Sequence, residues 1–135
     1  MENKIIVSGK RKTSIAKATI YPGMGRVIIN RLPYENLSSG LHVLMIREPL
    51  DITKKILGQI NFNITVNVRG GGTESRIEAS RLAIAKAIII FTKSSELRKA
   101  FLAYDKNLLV ADTRRKEPYK PGDSKARSKR QKSYR

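Results

Sequence analysis

Residues 60–91 read INFNITVNVRGGGTESRIEASRLAIAKAIIIF and contain the clearest strand and helix signals of this 135-residue chain. From Ile60 to Val68, apolar Ile, Phe and Val alternate with Asn and Thr without exception. Successive side chains of a strand point to opposite faces of its sheet. The alternation therefore predicts a strand with one buried face and one solvated face.

The segment that follows predicts a glycine turn and then a long helix. Glycines at 70–72 end the strand, and Thr73 has the side chain of a helix N-cap. The helix is expected to reach about Phe91, with a bulky apolar stripe and small alanines beside it that let it lie close to a sheet. The stripe comprises Ile77, Ile84, Ile88 and Phe91, and the alanines are Ala79, Ala83 and Ala87.

Earlier in the chain, three β-branched segments predict an antiparallel meander, because short turns join antiparallel neighbours. Two short helices are expected next, around an apolar stretch. The predicted strands are Ile5–Val7, Thr13–Tyr21 and Arg26–Asn30, with turns at Gly9–Lys12 and Tyr21–Gly25, and the helices are Tyr34–Leu37 and Glu48–Leu57 around Leu41–Ile46.

After the long helix, a second one is predicted at Glu96–Ala103, beginning after Ser95, and a last apolar contact at Leu108–Val110. Strands with one wet face and helices with one apolar stripe bury that apolar surface against each other. The fold is therefore predicted to be α+β, an α/β sandwich with helices on one face of the sheet.

The chain is expected to divide into a globular body, residues 1–112, and a basic tail, residues 113–135. The tail carries ten Lys and Arg against two carboxylates, a net charge of +8 within the chain's +17. It has almost no apolar surface whose burial could offset the entropy of ordering it, so it is predicted to need a partner. The body is basic as well, which favours nucleic acid as that partner.

Several classes of protein are excluded by what the chain lacks. Without cysteine it forms neither disulfides nor thiolate zinc sites. No stretch approaches the roughly twenty apolar residues of a membrane span, and the tail has no amphipathic pattern for a membrane surface. The N-terminus resembles neither a secretion signal nor a transit peptide, so the protein is expected to stay where it is made.

Catalytic candidates are few, and each has a structural explanation. His42 lies in an apolar run, which favours packing or a surface position over general-base chemistry. The pairs Glu48/Asp51 and Glu74/Glu78 have helical spacing near predicted helix starts, where carboxylates stabilise the helix dipole. One histidine and scattered carboxylates build no metal site. The chain is therefore predicted not to be an enzyme.

The glycine triplet leaves two interpretations open. Free N–H groups before a helix attract anions, and the flanking Arg69 and Arg76 favour contact with an RNA backbone. Glycines also serve to turn the chain or to permit close packing, and Glu74 competes with a phosphate for the helix dipole. The spacing matches neither a Walker loop nor a dinucleotide-binding loop.

Four short motifs follow one another along almost the whole chain: Gly9–Thr13, Val68–Gly72 leading into Ile84–Ala87, Leu108–Arg115 and Gln131–Arg135. Each motif alone is weak, but all four in this order are highly specific. Together they resemble the family of the ninth small-subunit ribosomal protein, in its archaeal and eukaryotic cytoplasmic branch.

The resemblance implies a sheet of about four strands with helices on one side and a left-handed β-α-β crossover. It implies a cytoplasmic protein without cofactor, metal or membrane contact, which does not form a homo-oligomer by itself. The implied partners are the head (3′ major) region of small-subunit ribosomal RNA, neighbouring small-subunit proteins and the anticodon stem-loop of peptidyl-site tRNA.

Site residues follow from the resemblance and the charge pattern together. The tRNA contact is expected at Arg135, with Lys132 and Tyr134 in the same approach. The expected rRNA-binding residues are Lys10, Arg11, Lys12, Arg69, Gly70, Gly71, Gly72, Arg76, Arg114, Arg115, Lys116, Lys120, Lys125, Arg127, Lys129 and Arg130.

Two positions depart from the family pattern. Tyr134 replaces a charge with a stacking ring, and Asp123 places a negative charge where a glycine-rich stretch is usual. Two other functions remain open: a small-molecule phosphotransferase of similar fold that uses the glycine loop, and an RNA-binding factor that visits ribosomes without residing there.

Overall fold

The computed structural model describes residues 3–122, 125–127, 129 and 132–134. The strands are β1 (Ile5–Arg11), β2 (Ser14–Pro22), β3 (Val27–Ile29), β4 (Leu32–Pro33) and β5 (Phe62–Arg69), and the helices are α1 (Gly40–Leu57), α2 (Thr73–Thr92) and α3 (Ser95–Tyr104). The strands form one sheet in the order β1-β2-β5-β3-β4. This mixed architecture confirms the predicted α+β class.

The strand and helix expected within residues 60–91 are both present. β5 buries Phe62, Ile64, Val66 and Val68 and leaves the intervening side chains on the open face. α2 covers β1, β2 and β5, and packs against α1 and α3, which puts the helices on one face of the sheet. Gly72 is the N-cap of α2, one residue before the predicted Thr73.

The close approach of α2 to the sheet depends on small residues, as its alanines predict. Ala79, Ala83 and Ala87 are fully buried. A Cβ at Gly9 would lie 2.5 Å from the Ala79 carbonyl oxygen, so β1 needs a glycine there. The predicted turn at Gly9–Lys12 begins too early. β1 continues to Arg11, and the chain reverses only at Lys12, which has φ 52°.

The predicted antiparallel meander is correct for β1 and β2 but wrong for the third strand. β2 pairs with β5 along nearly its whole length, and β3 pairs in parallel with the far side of β5. Hydrogen bonds to the start of β5 support this path: Asn63 Oδ1 accepts from the backbone N–H groups of Met24 (3.0 Å) and Arg26 (2.9 Å), and the N–H groups of Gly23 and Gly25 donate to backbone carbonyls of β5 and the residue before it. The loop is thereby held against the start of β5 and delivers β3 to the other edge.

Residues 34–57 form fewer helices than predicted. The short helix at Tyr34–Leu37 is present as a 3₁₀ turn, Tyr34–Asn36. The second helix begins at Gly40 rather than Glu48, because the apolar stretch Leu41–Ile46 is itself helical and Pro49 is accommodated inside α1. β3, α1 and the parallel β5 form a β-α-β unit, and its left-handed sense stays a prediction.

Candidate nucleic-acid interface

Four exposed cations lie where the β1–β2 turn, the end of β5 and the start of α2 meet. Lys10 is opposite Ile15 on the neighbouring strand, and Ile15 is in turn opposite Arg69. Arg76 reaches back from α2, where its Nε donates to the Gly70 carbonyl at 3.0 Å. We call this region the basic end; its residues are Lys10, Lys12, Arg69 and Arg76.

Buried hydroxyl groups tie the three segments of the basic end together. Ser14, which is fully buried, donates from Oγ to the Gly70 carbonyl at 2.8 Å. The same oxygen lies 2.8 Å from Ser75 Oγ on α2. The hairpin, the glycine triplet and the helix start therefore hold one another in place.

This packing accounts for two of the three glycines. Gly70 and Gly71 have φ values of 80° and 66°, in the left-handed region that favours glycine. A Cβ at Gly70 would lie 2.7 Å from the Thr13 carbonyl oxygen, and one at Gly71 would lie 2.1 Å from Ser14 Oγ. Gly72 faces open space. The packing interpretation thus explains Gly70 and Gly71 without any bound anion.

A groove of about 880 Å³ continues the basic end across the open face of the sheet. It is lined by Lys17 and Arg31 in addition to Arg69. Neither residue is among the candidates from sequence. In the sequence, Lys17 stands between Ala16 and Ala18, and this alternation places it on the solvent-exposed face of β2. No local pattern identifies Arg31, because it reaches the groove only through the parallel pairing of β3 with β5.

Arg11 differs from the four cations of the basic end because its guanidinium is largely buried and lies against carboxylates of the protein itself. Its side chain is 15% exposed, its Nε donates to Glu78, and its Nη1 lies 2.7 Å from Asp112 Oδ2. Two carboxylates therefore neutralise the guanidinium. Arg11 links the end of β1 to α2 and to the start of the tail.

Asp112 connects Arg11 to Arg114 at the point where the tail begins. Arg114 donates to the Asp112 carboxylate from Nη2 at 2.8 Å and from its backbone N–H at 3.0 Å. These hydrogen bonds, helped by the Arg11 charge, hold the pKa of Asp112 well below its ordinary value. Asp112 is therefore charged at any physiological pH.

The described residues of the tail are exposed and form neither helix nor strand. Their internal contacts are few: Lys116 Nζ lies 5.1 Å from the Tyr119 ring centroid, and Arg127 pairs with Glu117 at 3.2 Å. The predicted binding residues among them are Arg114, Arg115, Lys116, Lys120, Lys125, Arg127, Lys129, Lys132 and Tyr134. The predicted Arg130 and Arg135, and the departure at Asp123, lie outside the described residues.

The catalytic candidates are occupied by structural contacts. His42 is predicted either to pack in the interior or to lie at the surface, and it is buried. Its Nε2 lies 2.7 Å from Glu74 Oε1. Glu74 stands in the first turn of α2 as predicted, and Glu78 accepts from Arg11. The placement of Glu48 near a helix start is wrong, because α1 begins at Gly40; Glu48 instead accepts from Arg81.

Within the described part of the chain, no three His, Asp or Glu side chains gather as a metal site requires. None of the described helices is long and apolar enough to cross a membrane.

Comparison with known proteins gives matches over nearly the whole chain. A family model described as ribosomal protein S9/S16 matches residues 9–135. Small ribosomal subunit protein uS9 of Methanococcus vannielii is 46% identical over 129 residues, which covers 94% of this chain and 95% of that protein. The protein of the same name from Desulfurococcus amylolyticus is 47% identical over 137 residues, with 98% and 94% covered.

Proposed function

The chain belongs to the ribosomal protein S9/S16 family, and we propose that it is a non-catalytic structural constituent of the small ribosomal subunit. The observation that carries this proposal is the match from residue 9 to residue 135, which takes in the body and the tail together. Lys and Arg outnumber Asp and Glu by 28 to 11, as suits a protein that lies among phosphates.

We propose that the basic end and the tail contact ribosomal RNA in the head of the subunit. Lys10, Lys12, Arg69 and Arg76 are exposed at one corner of the body. Glu74, the nearest carboxylate on α2, is engaged by His42. Arg11 is left out of the proposed contacts because its guanidinium is already paired, and Gly70 and Gly71 support the corner by packing rather than by binding.

The end of the tail is proposed to reach the anticodon stem-loop of peptidyl-site tRNA. The support is chemical: Lys132 is exposed, the Tyr134 ring is 88% exposed, and such side chains offer phosphate contacts and a stacking surface. Arg135 adds a planar fork of donors at the chain end. Neighbouring small-subunit proteins complete the proposed set of partners.

Residence in the subunit is tested by sedimentation. A tagged full-length chain should co-sediment with small subunits and stay with them through a high-salt cushion. A factor that only visits ribosomes would be released by the salt. Recovery of the chain at the top of the gradient after the salt wash would contradict the proposal.

The tRNA contact is tested by deleting residues 132–135. The truncated chain should still enter subunits, while the subunits hold peptidyl-site tRNA less tightly. Arg98→Gln with Lys99→Gln on the exposed side of α3 is the matched control, because it removes two cations, as the deletion does by removing Lys132 and Arg135. Equal tRNA affinity of the deletion and the control would refute the tail contact.

The two alternative functions have no support. Close approach to Thr13 and Ser14 already explains why glycine stands at positions 70 and 71, so the triplet is not evidence for a phosphate-binding loop of a kinase. The relatives carry the name of a ribosomal subunit protein and not that of a kinase or of an assembly factor.

A further inference from the structure

The groove on the open face of the sheet has the features of a binding site that the family match does not assign. Its floor is the β2–β5 pair, with Lys17 opposite Asn67 and Ile15 opposite Arg69. Arg31 lines the groove after the end of β3. All five side chains are exposed, since the helices cover only the opposite face.

The three cations of the groove have no carboxylate partner among the described residues. Of these residues, no Asp or Glu lines the groove. Within the described part of the chain, ion pairs engage Arg11, Arg81, Arg114 and Arg127, whereas Lys17, Arg31 and Arg69 form none. Three uncompensated positive charges in one concave site attract a polyanion.

The position of Arg31 is enforced by the neighbouring strand. Asn30 and Arg31 have φ values of 46° and 71°, a left-handed conformation that residues with a Cβ rarely adopt. The Asn30 amide holds this bend, because its Oδ1 accepts from the Val68 N–H at 2.9 Å and its Nδ2 donates to the Val68 carbonyl at 3.2 Å. Asn30 and Arg31 form the two-residue hairpin turn between the paired Ile29 and Leu32, where positive φ at both positions is the usual geometry, so the turn fixes where Arg31 leaves the sheet.

We propose that this groove extends the RNA-binding surface beyond the basic end, with Lys17 and Arg31 joining Arg69 to hold the sugar–phosphate backbone of an RNA strand. Arginine forks pair with phosphate oxygens through two N–H groups. The Asn67 amide offers both a donor and an acceptor to a ribose hydroxyl or a base edge. The inference rests on the proposed function, because it takes ribosomal RNA as the polyanion.

The experiment compares two triple variants of the full-length chain. The groove variant is Lys17→Gln, Arg31→Gln and Arg69→Gln. The control, Arg69→Gln, Lys54→Gln and Lys55→Gln, carries the same change at Arg69, which also belongs to the basic end, and removes the other two charges from exposed positions on α1, so that within the groove the two variants differ only at Lys17 and Arg31. Affinity for transcribed small-subunit rRNA is measured by filter binding over a series of salt concentrations, and urea unfolding checks that both variants fold.

The groove variant should bind at least about tenfold more weakly than the control. Its log–log salt slope should lose roughly 2–3 units, because each phosphate contact contributes about 0.7–0.9. A second measurement needs no variant: bound RNA should protect Lys17 of the wild-type chain from acetylation while Lys54 stays reactive.

The outcomes separate the groove from the proposed function. A wild-type chain that neither binds rRNA nor enters subunits refutes the proposed function itself. If the wild-type chain binds rRNA but the two triple variants lose equal affinity for rRNA, the groove proposal alone is overturned. The same holds if Lys17 of the wild-type chain stays reactive towards acetylation in the rRNA complex. If the groove variant loses binding to phosphatidylserine vesicles while its rRNA binding is unchanged, the groove proposal is overturned in favour of a membrane surface.

Discussion

Replacing Gly71 with alanine tests whether the glycine triplet is a packing device. A Cβ there would lie 2.1 Å from Ser14 Oγ and 2.6 Å from Ser75 Oγ, and Gly71 has φ 66°. Ser14 can move aside only by giving up its hydrogen bond to the Gly70 carbonyl. Overpacking costs about 1–3 kcal/mol and a left-handed residue with a Cβ about 1–2 kcal/mol, so Gly71→Ala should lower the free energy of unfolding by about 2–5 kcal/mol.

Gly72→Ala is the matched control for this prediction. Gly72 has φ −86°, and nothing lies within 4 Å of a Cβ placed there. Its substitution should change stability by less than about 1 kcal/mol, because the gain from restricting the unfolded chain is offset by the poorer fit of alanine to the N-cap position of α2. Urea unfolding followed by circular dichroism measures both. Equal stability of the two variants, with rRNA binding weakened by Gly72→Ala, would refute the packing account and favour an anion loop.

Three further predictions concern contacts away from the glycines. Asn63→Ala should cost about 0.5–1.5 kcal/mol, because the exposed N–H groups of Met24 and Arg26 exchange their acceptor for water. Amide exchange in β3 should accelerate, and unchanged exchange would contradict the role of Asn63. Arg81→Met should cost about 1.5–3 kcal/mol by leaving Glu48 and Asp105 without their shared donor, as thermal unfolding would show. Arg114→Gln should raise the pKa of Asp112, as an NMR titration would show. Folding lowers this pKa, so the contact with Arg114 stabilises the protein fully at pH values above the ordinary carboxyl pKa. This stabilisation is lost as the pH falls through the lowered pKa of the folded protein.

Local pattern was enough to predict β5 and α2 but not the path between β2 and β3. Alternation and helical period are properties of neighbouring residues, so the strand and the helix could be found from residues 60–91 alone. The parallel pairing of β3 is supported by contacts between distant residues, such as the hydrogen bonds of Asn63 to residues 37 and 39 positions away. In the sequence Asn63 is one of several similar asparagines on a wet face, and nothing there distinguishes it.

The same limit applies to the basic residues. Arg11 stands in a run of cations that predicts RNA contact, yet its partner Glu78 lies 67 positions away and neutralises it in the fold. Arg31 is the opposite case: it lines the groove in the fold, but as a single arginine after a short strand it could not be predicted from the sequence as an RNA contact. Charge composition predicts the class of partner, while the choice of cations that face it depends on tertiary contacts.

The salt dependence of rRNA binding, measured for the full chain and for a chain ending at Asp112, tests the central claim most directly. That claim is that the tail is a phosphate-binding arm on a basic body. If most of the ten tail cations meet phosphates, truncation should reduce the log–log slope by roughly 5–9 units, at about 0.7–0.9 per contact, and leave a smaller slope from the body. Identical slopes for the two chains would contradict the claim.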